Sequence, residues 1–236
     1  MENPAPLIEL RGIEKTYDGT GIPVRALGGV DLRIERGEFT AVVGPSGSGK
    51  TTLLNVIGGL DEPSAGAVMI DGVDIATLKP DDLIEFRLRH IGFVFQAFNL
   101  IPVLSAQENV EFIMLLQGVP RAARTARARD ILAGVGLGER LDSTPARLSG
   151  GQQQRVAVAR AIASRPSFVL ADEPTANLDT ASAEGLLDVM AGLNRDSAMT
   201  FVFSTHDPRV MNRARRIITL EDGKLKDDQP RRPPPA

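Results

Sequence analysis

The most constraining feature of this 236-residue chain is a glycine-rich loop between a short apolar run and a helical segment. The loop reads Gly44-Pro45-Ser46-Gly47-Ser48-Gly49-Lys50-Thr51; it follows the apolar residues 39–43 and opens a helical pattern over 51–57. Strand, loop and helix in this order are the context that the pattern G-x-x-x-x-G-K-[ST] requires. We therefore predict a phosphate-binding loop, and a merely flexible Gly/Ser loop before a helix is the alternative.

The residue types in the loop explain how it would hold phosphates. Glycines let successive backbone N–H groups turn inward, and the helix that follows adds its partial positive charge. Lys50 would reach the β- and γ-phosphates, and Thr51 would supply a hydroxyl to Mg²⁺. We expect ATP and Mg²⁺ as the cofactors, with the nucleotide contacted by Gly44, Pro45, Ser46, Gly47, Ser48, Gly49, Lys50, Thr51 and Thr52.

Two adjacent carboxylates, Asp172 and Glu173, follow the apolar residues 168–171. Because the carboxyl ends of strands in open α/β sheets face the ligand crevice, both carboxylates should arrive beside the phosphates. Asp172, nearer the sheet, is predicted to hold Mg²⁺ through a bound water, and Glu173 to orient and deprotonate the attacking water. A solvated turn before Pro174 is the alternative interpretation.

A second glycine-containing helix start follows at residues 148–152, which read Leu-Ser-Gly-Gly-Gln. Ser149 stands where an N-cap would, and Gly150 and Gly151 expose backbone N–H groups at the positive end of the helix. The pattern predicts a further phosphate site, with a plain Ser-Gly cap as the alternative.

The apolar patterning predicts an α/β fold with a P-loop NTPase core. Strands alternating with helices indicate a mostly parallel sheet covered on both faces. The short alternating runs at 7–17 and 25–34 predict an N-terminal antiparallel β subdomain at a sheet edge, and a 3.6-residue period predicts an inserted α-helical subdomain at about 97–165. We expect a tail at 1–6, one domain over 7–225 and a proline-rich disordered tail over 226–236.

Composition excludes several classes of function. With no cysteine, disulfides, thiolate zinc sites and cysteine nucleophiles are excluded. A net charge of −3, from 27 Lys and Arg against 30 Asp and Glu, argues against nucleic acid as a partner. The sequence offers neither a signal peptide nor an apolar stretch that could span a membrane, so we expect a cytoplasmic chain that meets the membrane only through a partner.

Together, the phosphate loop, residues 148–152 and the acidic pair followed by Ala176-Asn177-Leu178-Asp179 resemble the ATP-binding subunit of ATP-binding-cassette (ABC) transporters. The similarity runs from about Leu7 to Leu225, and the five-residue signature separates this family from other P-loop ATPases. The resemblance implies an ATPase on the cytoplasmic face of the inner membrane, bound to a transmembrane permease. It also implies an ATP-dependent homodimer in which Ser149, Gly150, Gly151 and Gln152 of one chain close over the nucleotide of the other.

The resemblance assigns further roles residue by residue. Tyr17 matches the aromatic residue that stacks on adenine, and Gln96 matches the glutamine that touches Mg²⁺ and the attacking water and senses the permease. Asp179 matches the aspartate that communicates across the dimer, and His206 the histidine that contacts the γ-phosphate. Without the resemblance, Tyr17 reads as a half-buried rim residue and His206 as a surface residue beside the helix cap that Asp207 and Pro208 predict.

Two segments narrow the resemblance to a subgroup. Residues 57–61 (Ile-Gly-Gly-Leu-Asp) and 95–110 look closest to the lipoprotein-releasing and macrolide-export systems. Two functions remain open on these grounds. The chain is either the ATPase motor of a membrane exporter or mechanotransmission complex, or an ATP-dependent regulator of a membrane partner, of the cell-division type, that transports nothing. The transported substance and its direction are not encoded in this chain.

Overall fold

The computed structural model describes residues 5–18 and 21–231. The strands are β1 (Ile8–Tyr17), β2 (Val24–Ile34), β3 (Phe39–Val43), β4 (Ala65–Ile70), β5 (Val73–Asp74), β6 (Ile91–Val94), β7 (Phe168–Asp172), β8 (Thr200–Ser204), β9 (Arg216–Glu221) and β10 (Lys224–Pro230). The helices are α1 (Lys50–Ile57), α2 (Pro80–His90), α3 (Ala106–Leu116), α4 (Arg121–Gly134), α5 (Gly150–Ala163), α6 (Thr180–Ser197) and α7 (Pro208–Arg213). None of the helices in this described part is long and apolar enough to cross a membrane.

A six-stranded sheet in the order β10-β9-β3-β8-β7-β6 carries the phosphate loop. All neighbours from β9 to β6 pair in parallel, and only β10 is antiparallel. Every residue of β3 and β8 is buried, as expected for parallel strands covered on both faces. The rings of Phe39 and Phe203, on these two strands, pack with centroids 4.6 Å apart. The predicted α/β fold with a mostly parallel sheet is confirmed.

The amino-terminal strands form a separate antiparallel sheet in the order β2-β1-β4-β5. The antiparallel pairing of β1 and β2 is confirmed, but the expectation that both lie at an edge is wrong for β1, which lies between β2 and β4. The alternating residues of β4, with Val68 and Ile70 buried, supply a second apolar partner for β1. Apolar side chains of this sheet pack with those of α1 in one core.

Three of the helices, α3, α4 and α5, share an apolar core of their own. On α3, Val110 and Met114 are buried in it, four residues apart as a helical period requires. Ser105 caps α3 through a capping box with Glu108. Gly118, at φ 76°, separates α3 from α4 within the part of the chain predicted to be mostly helical.

The disordered tail predicted from residue 226 is wrong over residues 226–230. These residues belong to β10, which pairs antiparallel with β9 through to Pro230 opposite Arg216. Arg216 donates two hydrogen bonds of 2.7 Å to the Asp228 carboxylate, and its other guanidinium nitrogen contacts Glu38 at 2.9 Å. These partners raise the pKa of Arg216. Proline is tolerated because β10 is an edge strand; residues 232–236, like 1–4, lie outside the described residues.

Replacing Asp228 with Asn should loosen β10. A partly exposed bidentate Arg–carboxylate pair contributes about 1 kcal/mol, so backbone amide exchange over residues 226–229 should become about fivefold faster, as measured by hydrogen–deuterium exchange. Asp227→Asn is the matched control, because the Asp227 carboxylate contacts only the Asp228 amide and the Gln229 side chain. Equal exchange rates in both variants and the parent would contradict a role for the Arg216 pair.

Candidate nucleotide-binding site

The carboxyl ends of four parallel strands bring the predicted residues to one edge of the sheet. The phosphate loop follows β3, Asp172 ends β7, and His206 lies two residues beyond β8, which pairs with both of those strands. Gln96 lies two residues beyond β6, the neighbour of β7. Parallel strands place their carboxyl ends on the same side, so the loop, the acidic pair and the histidine share one crevice.

The phosphate loop is built around glycines, two of which have no room for a side chain. Gly44, Gly47 and Gly49 have φ angles of 154°, 79° and 100°. A Cβ on Gly44 would lie 2.1 Å from the carbonyl oxygen of Leu220, and one on Gly49 would lie 2.5 Å from that of Ala26. The backbone of the loop is therefore packed tightly against both sheets.

Lys50 and Thr51 open α1 directly after the loop. The Lys50 ammonium donates hydrogen bonds to the carbonyl oxygens of Gly44 (2.9 Å) and Pro45 (3.0 Å), so it lies across the loop. The Thr51 hydroxyl is 3.1 Å from each carboxylate oxygen of Asp172. A hydroxyl beside one carboxylate fits the few protein ligands that Mg²⁺ takes when phosphates supply others. Within the described ranges no group of three or more His, Cys, Asp or Glu side chains could hold a metal.

Glu173 and His206 are in direct contact. Glu173 has a left-handed backbone (φ 45°), and its N–H donates to the carbonyl oxygen of Ser204 at 2.9 Å. Its Oε1 is 2.7 Å from Nδ1 of His206, and its Oε2 is 3.4 Å from the Thr205 hydroxyl. The Glu173 side chain is 15% exposed and the His206 side chain 75%. The carboxylate is thus oriented, while the imidazole is largely exposed.

Tyr17, at the end of β1, is held by a residue whose role the sequence analysis missed. Its hydroxyl donates to Oδ2 of Asp61 at 2.6 Å, and Lys15 donates to the other carboxylate oxygen. Burial, together with the Asp61 carboxylate, raises the pKa of Tyr17, although the nearby Thr52 hydroxyl acts in the opposite direction. Thr52 belongs to the first turn of α1, so Tyr17 lies near the phosphate loop. In the sequence, Asp61 stands out only as the last residue of the Ile-Gly-Gly-Leu-Asp segment that marks the subgroup.

The second glycine pair begins α5 as predicted. Ser149 is the N-cap: its hydroxyl accepts from the Gln152 N–H, and the Gln152 side chain accepts from the Ser149 N–H at 3.0 Å. Gly151 is buried, and a Cβ there would lie 2.7 Å from Ser182. In the described part of the chain, no hydrogen bond joins residues 149–152 to the phosphate loop. The structure does not bring this helix start to the loop of its own chain.

Asp179 and Gln96 each contact the segment after β7 or the helix that follows it. Asp179 caps α6 by accepting from the Ser182 N–H at 2.9 Å, and this hydrogen bonding lowers its pKa. The Gln96 carbonyl accepts from the Asn177 side chain at 3.0 Å, which joins the segment after β6 to the segment after β7. The side chain of Gln96 is exposed.

Asp207 ties the His206 turn to the segment after Glu173, a contact that the sequence did not indicate. Asp207 is the N-cap of α7, as predicted from Asp207-Pro208. Its carboxylate also accepts a hydrogen bond from the Thr175 hydroxyl at 2.6 Å and pairs with Arg209. Burial alone would raise the pKa of Asp207, but the hydrogen bonds from Arg209 and Thr175 hold it at about 2.

The fold and the site define a P-loop ATPase, and comparisons with known proteins give its family. Residues 27–176 match the family model described as ABC transporter. The lipoprotein-releasing system ATP-binding protein LolD 1 of Caulobacter vibrioides is 49% identical over 221 residues, which cover 93% of this chain and 94% of that protein. The chain belongs to the ABC transporter family and is an ABC-type ATPase, which confirms the resemblance inferred from its motifs.

A second curated relative and a solved structure are also similar to this chain. The macrolide export ATP-binding/permease protein MacB of Marinobacter nauticus is 46% identical over 226 residues, which cover 96% of this chain but 35% of MacB. The chain thus spans about a third of the length of the MacB relatives it matches. The dimeric post-hydrolysis structure of the ATP-binding cassette MJ0796, bound to ADP and Pi, is 42% identical, with a TM-score of 0.89 and coverage of 95% of this chain and 99% of that one.

Replacing Asp207 with Asn should lower stability at neutral pH but not in acid. A carboxylate whose folded pKa is about 2, against an ordinary 3.8, stabilises the fold above pH 3.8 and loses that contribution as the pH falls through 2. The free energy of unfolding in urea should therefore fall by about 1–2 kcal/mol at pH 7, and the difference should shrink below pH 4. The exposed Asp142→Asn is the control. A difference that is constant with pH would rule out the ionised carboxylate as the cause.

Proposed function

We propose that this chain is the ATP-hydrolysing motor of a membrane exporter, driven by closure of two copies around shared nucleotides. One observation carries the proposal: a phosphate loop, an acidic pair and a histidine converge at one sheet edge, while a second anion-binding helix start lies apart from them. The similarity to LolD and to the ATP-binding part of MacB supports the same function.

The phosphate loop would bind the nucleotide through residues 44–52. Its inward N–H groups and the start of α1 neutralise the phosphates, and Lys50 exchanges its two carbonyl partners for phosphate oxygens. Thr51 and Asp172 are the residues that would hold Mg²⁺, which supplies positive charge to the phosphates. Tyr17, whose hydroxyl lies near Thr52 in the first turn of α1, would stack its ring on adenine.

Hydrolysis would depend on Glu173 as the general base. The His206 imidazole and the Thr205 hydroxyl contact the two carboxylate oxygens, and the Ser204 carbonyl accepts the Glu173 backbone N–H. These contacts hold the carboxylate in one orientation, which is what a group accepting a proton from an attacking water needs. With Nδ1 of His206 facing Glu173, the other ring nitrogen is left to contact the γ-phosphate. Gln96 would contact the same water and Mg²⁺, because the carboxyl end of β6 adjoins that of β7.

The second helix start would act on the partner copy. The amino terminus of α5 is ordered by its capping box and makes no hydrogen bond to its own phosphate loop in the described part of the chain. Ser149, Gly150, Gly151 and Gln152 of one copy would close over the nucleotide of the other, with Asp179 at the junction. MJ0796, the similar cassette, has been solved as a dimer.

A transmembrane permease would be the membrane partner and would hold this chain on the cytoplasmic face of the inner membrane. MacB combines ATP-binding and permease functions by name, and LolD is the ATP-binding protein of a lipoprotein-releasing system. Since the cargo is not encoded in this chain, the names of these two relatives make lipoproteins and macrolides the cargo classes to test first.

Lys50→Ala should abolish nucleotide binding, because the loop loses the ammonium that pairs with the β- and γ-phosphates. We expect ATP affinity, measured by isothermal titration calorimetry, to fall by at least about 100-fold. Lys79→Ala, which removes an exposed lysine at the start of α2, should bind ATP like the parent. Retained affinity in Lys50→Ala would refute the phosphate-loop assignment.

Glu173→Gln should bind ATP but hydrolyse it about 10²- to 10⁴-fold more slowly, the range that general-base catalysis contributes. The trapped nucleotide should hold two copies together, so size-exclusion chromatography with saturating ATP should show a dimer. Glu139→Gln, at an exposed position in the short helix Gly138–Arg140, is the matched control. Unchanged phosphate release would refute the base, and a monomer at high concentration would refute the shared site.

A further inference from the structure

Tyr17 is held from outside its own strand. It stands at the end of β1 and is 41% exposed, so its own strand does not enclose the ring. Its hydroxyl is hydrogen-bonded to Asp61, in the segment after α1 (residues 58–64), 44 positions further along the chain. This hydrogen bond fixes the ring relative to the segment that follows α1 as well as relative to β1.

Asp61 is the centre of this contact. One carboxylate oxygen accepts the Tyr17 hydroxyl at 2.6 Å, and the other accepts the Lys15 ammonium. Burial would raise the pKa of Asp61, but hydrogen bonds from Lys15 and Tyr17 lower it, so the group is charged at neutral pH. The side chains of Lys15 and Asp61 are only 13% and 24% exposed, which limits screening by salt.

Lys15 restricts the ring from a second direction. Its ammonium lies 4.9 Å from the Tyr17 ring centroid and also donates to the Glu62 carbonyl oxygen at 2.7 Å. A cation over one face of an aromatic ring is attracted to it and covers that face. The ring is thus held at its hydroxyl and on one face, which leaves the other face for a ligand.

The segment that carries Asp61 is fastened to the carboxyl end of α1. The Leu60 and Asp61 N–H groups both donate to the Asn55 carbonyl oxygen, at 2.8 and 3.3 Å. The same helix begins at Lys50 with the phosphate loop. Because α1 carries the phosphate loop at its start and the Asp61 segment at its end, the Asp61 contact ties the position of the Tyr17 ring to the helix that follows the phosphate loop.

We propose that Asp61, with Lys15, is the positioning residue of the base-binding site: it holds Tyr17 by the phenol hydroxyl so that one ring face meets the purine of the bound nucleotide. The proposal rests on the stacking role of Tyr17 under the proposed function. Base–aromatic stacking contributes about 1–3 kcal/mol, so a ring that is not held in place weakens binding of the nucleotide base.

Asp61→Asn tests the proposal with little change in shape. We expect the KM for ATP to rise about fivefold with kcat unchanged, because a misplaced ring weakens binding of the base and not the chemistry. Binding of inorganic tripolyphosphate, which has no base, should be unchanged. Glu62→Gln is the matched control, since only the backbone carbonyl of Glu62 takes part. An Asp61→Asn protein that loses ATP and tripolyphosphate affinity equally, or neither, would overturn the proposal.

A double-mutant cycle separates positioning from general stability. Tyr17→Phe removes the hydroxyl but keeps the ring, so Asp61→Asn should add no further loss of ATP affinity in that background. Additive losses would show that Asp61 acts otherwise. Tyr17→Ala distinguishes the two proposals: ATP affinity unchanged in that variant refutes the stacking role, whereas a loss in Tyr17→Ala with none in Asp61→Asn refutes only the positioning role.

The contact can also be observed directly. The chain has one tyrosine and no tryptophan, so the ultraviolet absorbance change on phenol ionisation reports Tyr17 alone. Burial and the Asp61 carboxylate raise the pKa of Tyr17 in the parent. It should fall toward its ordinary value in Asp61→Asn and stay raised in Glu62→Gln. Identical titrations of Asp61→Asn and the parent would show that the hydrogen bond is absent in solution.

Discussion

The parallel pairing of β3, β8 and β7 is the constraint on which the rest of the site depends. These strands place Val42 opposite Ser204 and Ser204 opposite Asp172, so the loop, the histidine turn and the acidic pair leave the sheet at the same level. The Glu173 N–H then extends the pattern by bonding the Ser204 carbonyl. A shift of one residue between β7 and β8 would reverse the sides of these side chains.

Much of this arrangement could be predicted from the sequence, because the relevant signals are local. The loop Gly44–Thr51 needs glycines at specific backbone angles, and Ser149 and Asp207 occupy cap positions that residue type alone indicates. The apolar runs at residues 39–43 and 200–204 predict the buried strands β3 and β8. In each case, the backbone angle, the helix cap or the apolar run is determined by residues that are adjacent in the sequence.

What the sequence did not reveal depends on partners distant in the chain. Asp228 binds Arg216, and Asp61 holds Tyr17 across 44 positions; no local pattern marks either pair. The strand β10 has few apolar residues, and an ion pair with backbone pairing to β9 supports it. The link from Thr175 to Asp207 joins two loops that meet only because their strands are neighbours.

The close packing around Gly44 and Gly49 has a consequence for how binding is transmitted. Gly44 lies against the backbone of β9 in one sheet, and Gly49 lies against the backbone of β2 in the other. The loop therefore packs between two sheets that share no strand, and its backbone is in close contact with both. A small displacement of either sheet would change the shape of the phosphate cradle, so substitutions far from the nucleotide could alter its affinity through the backbone alone.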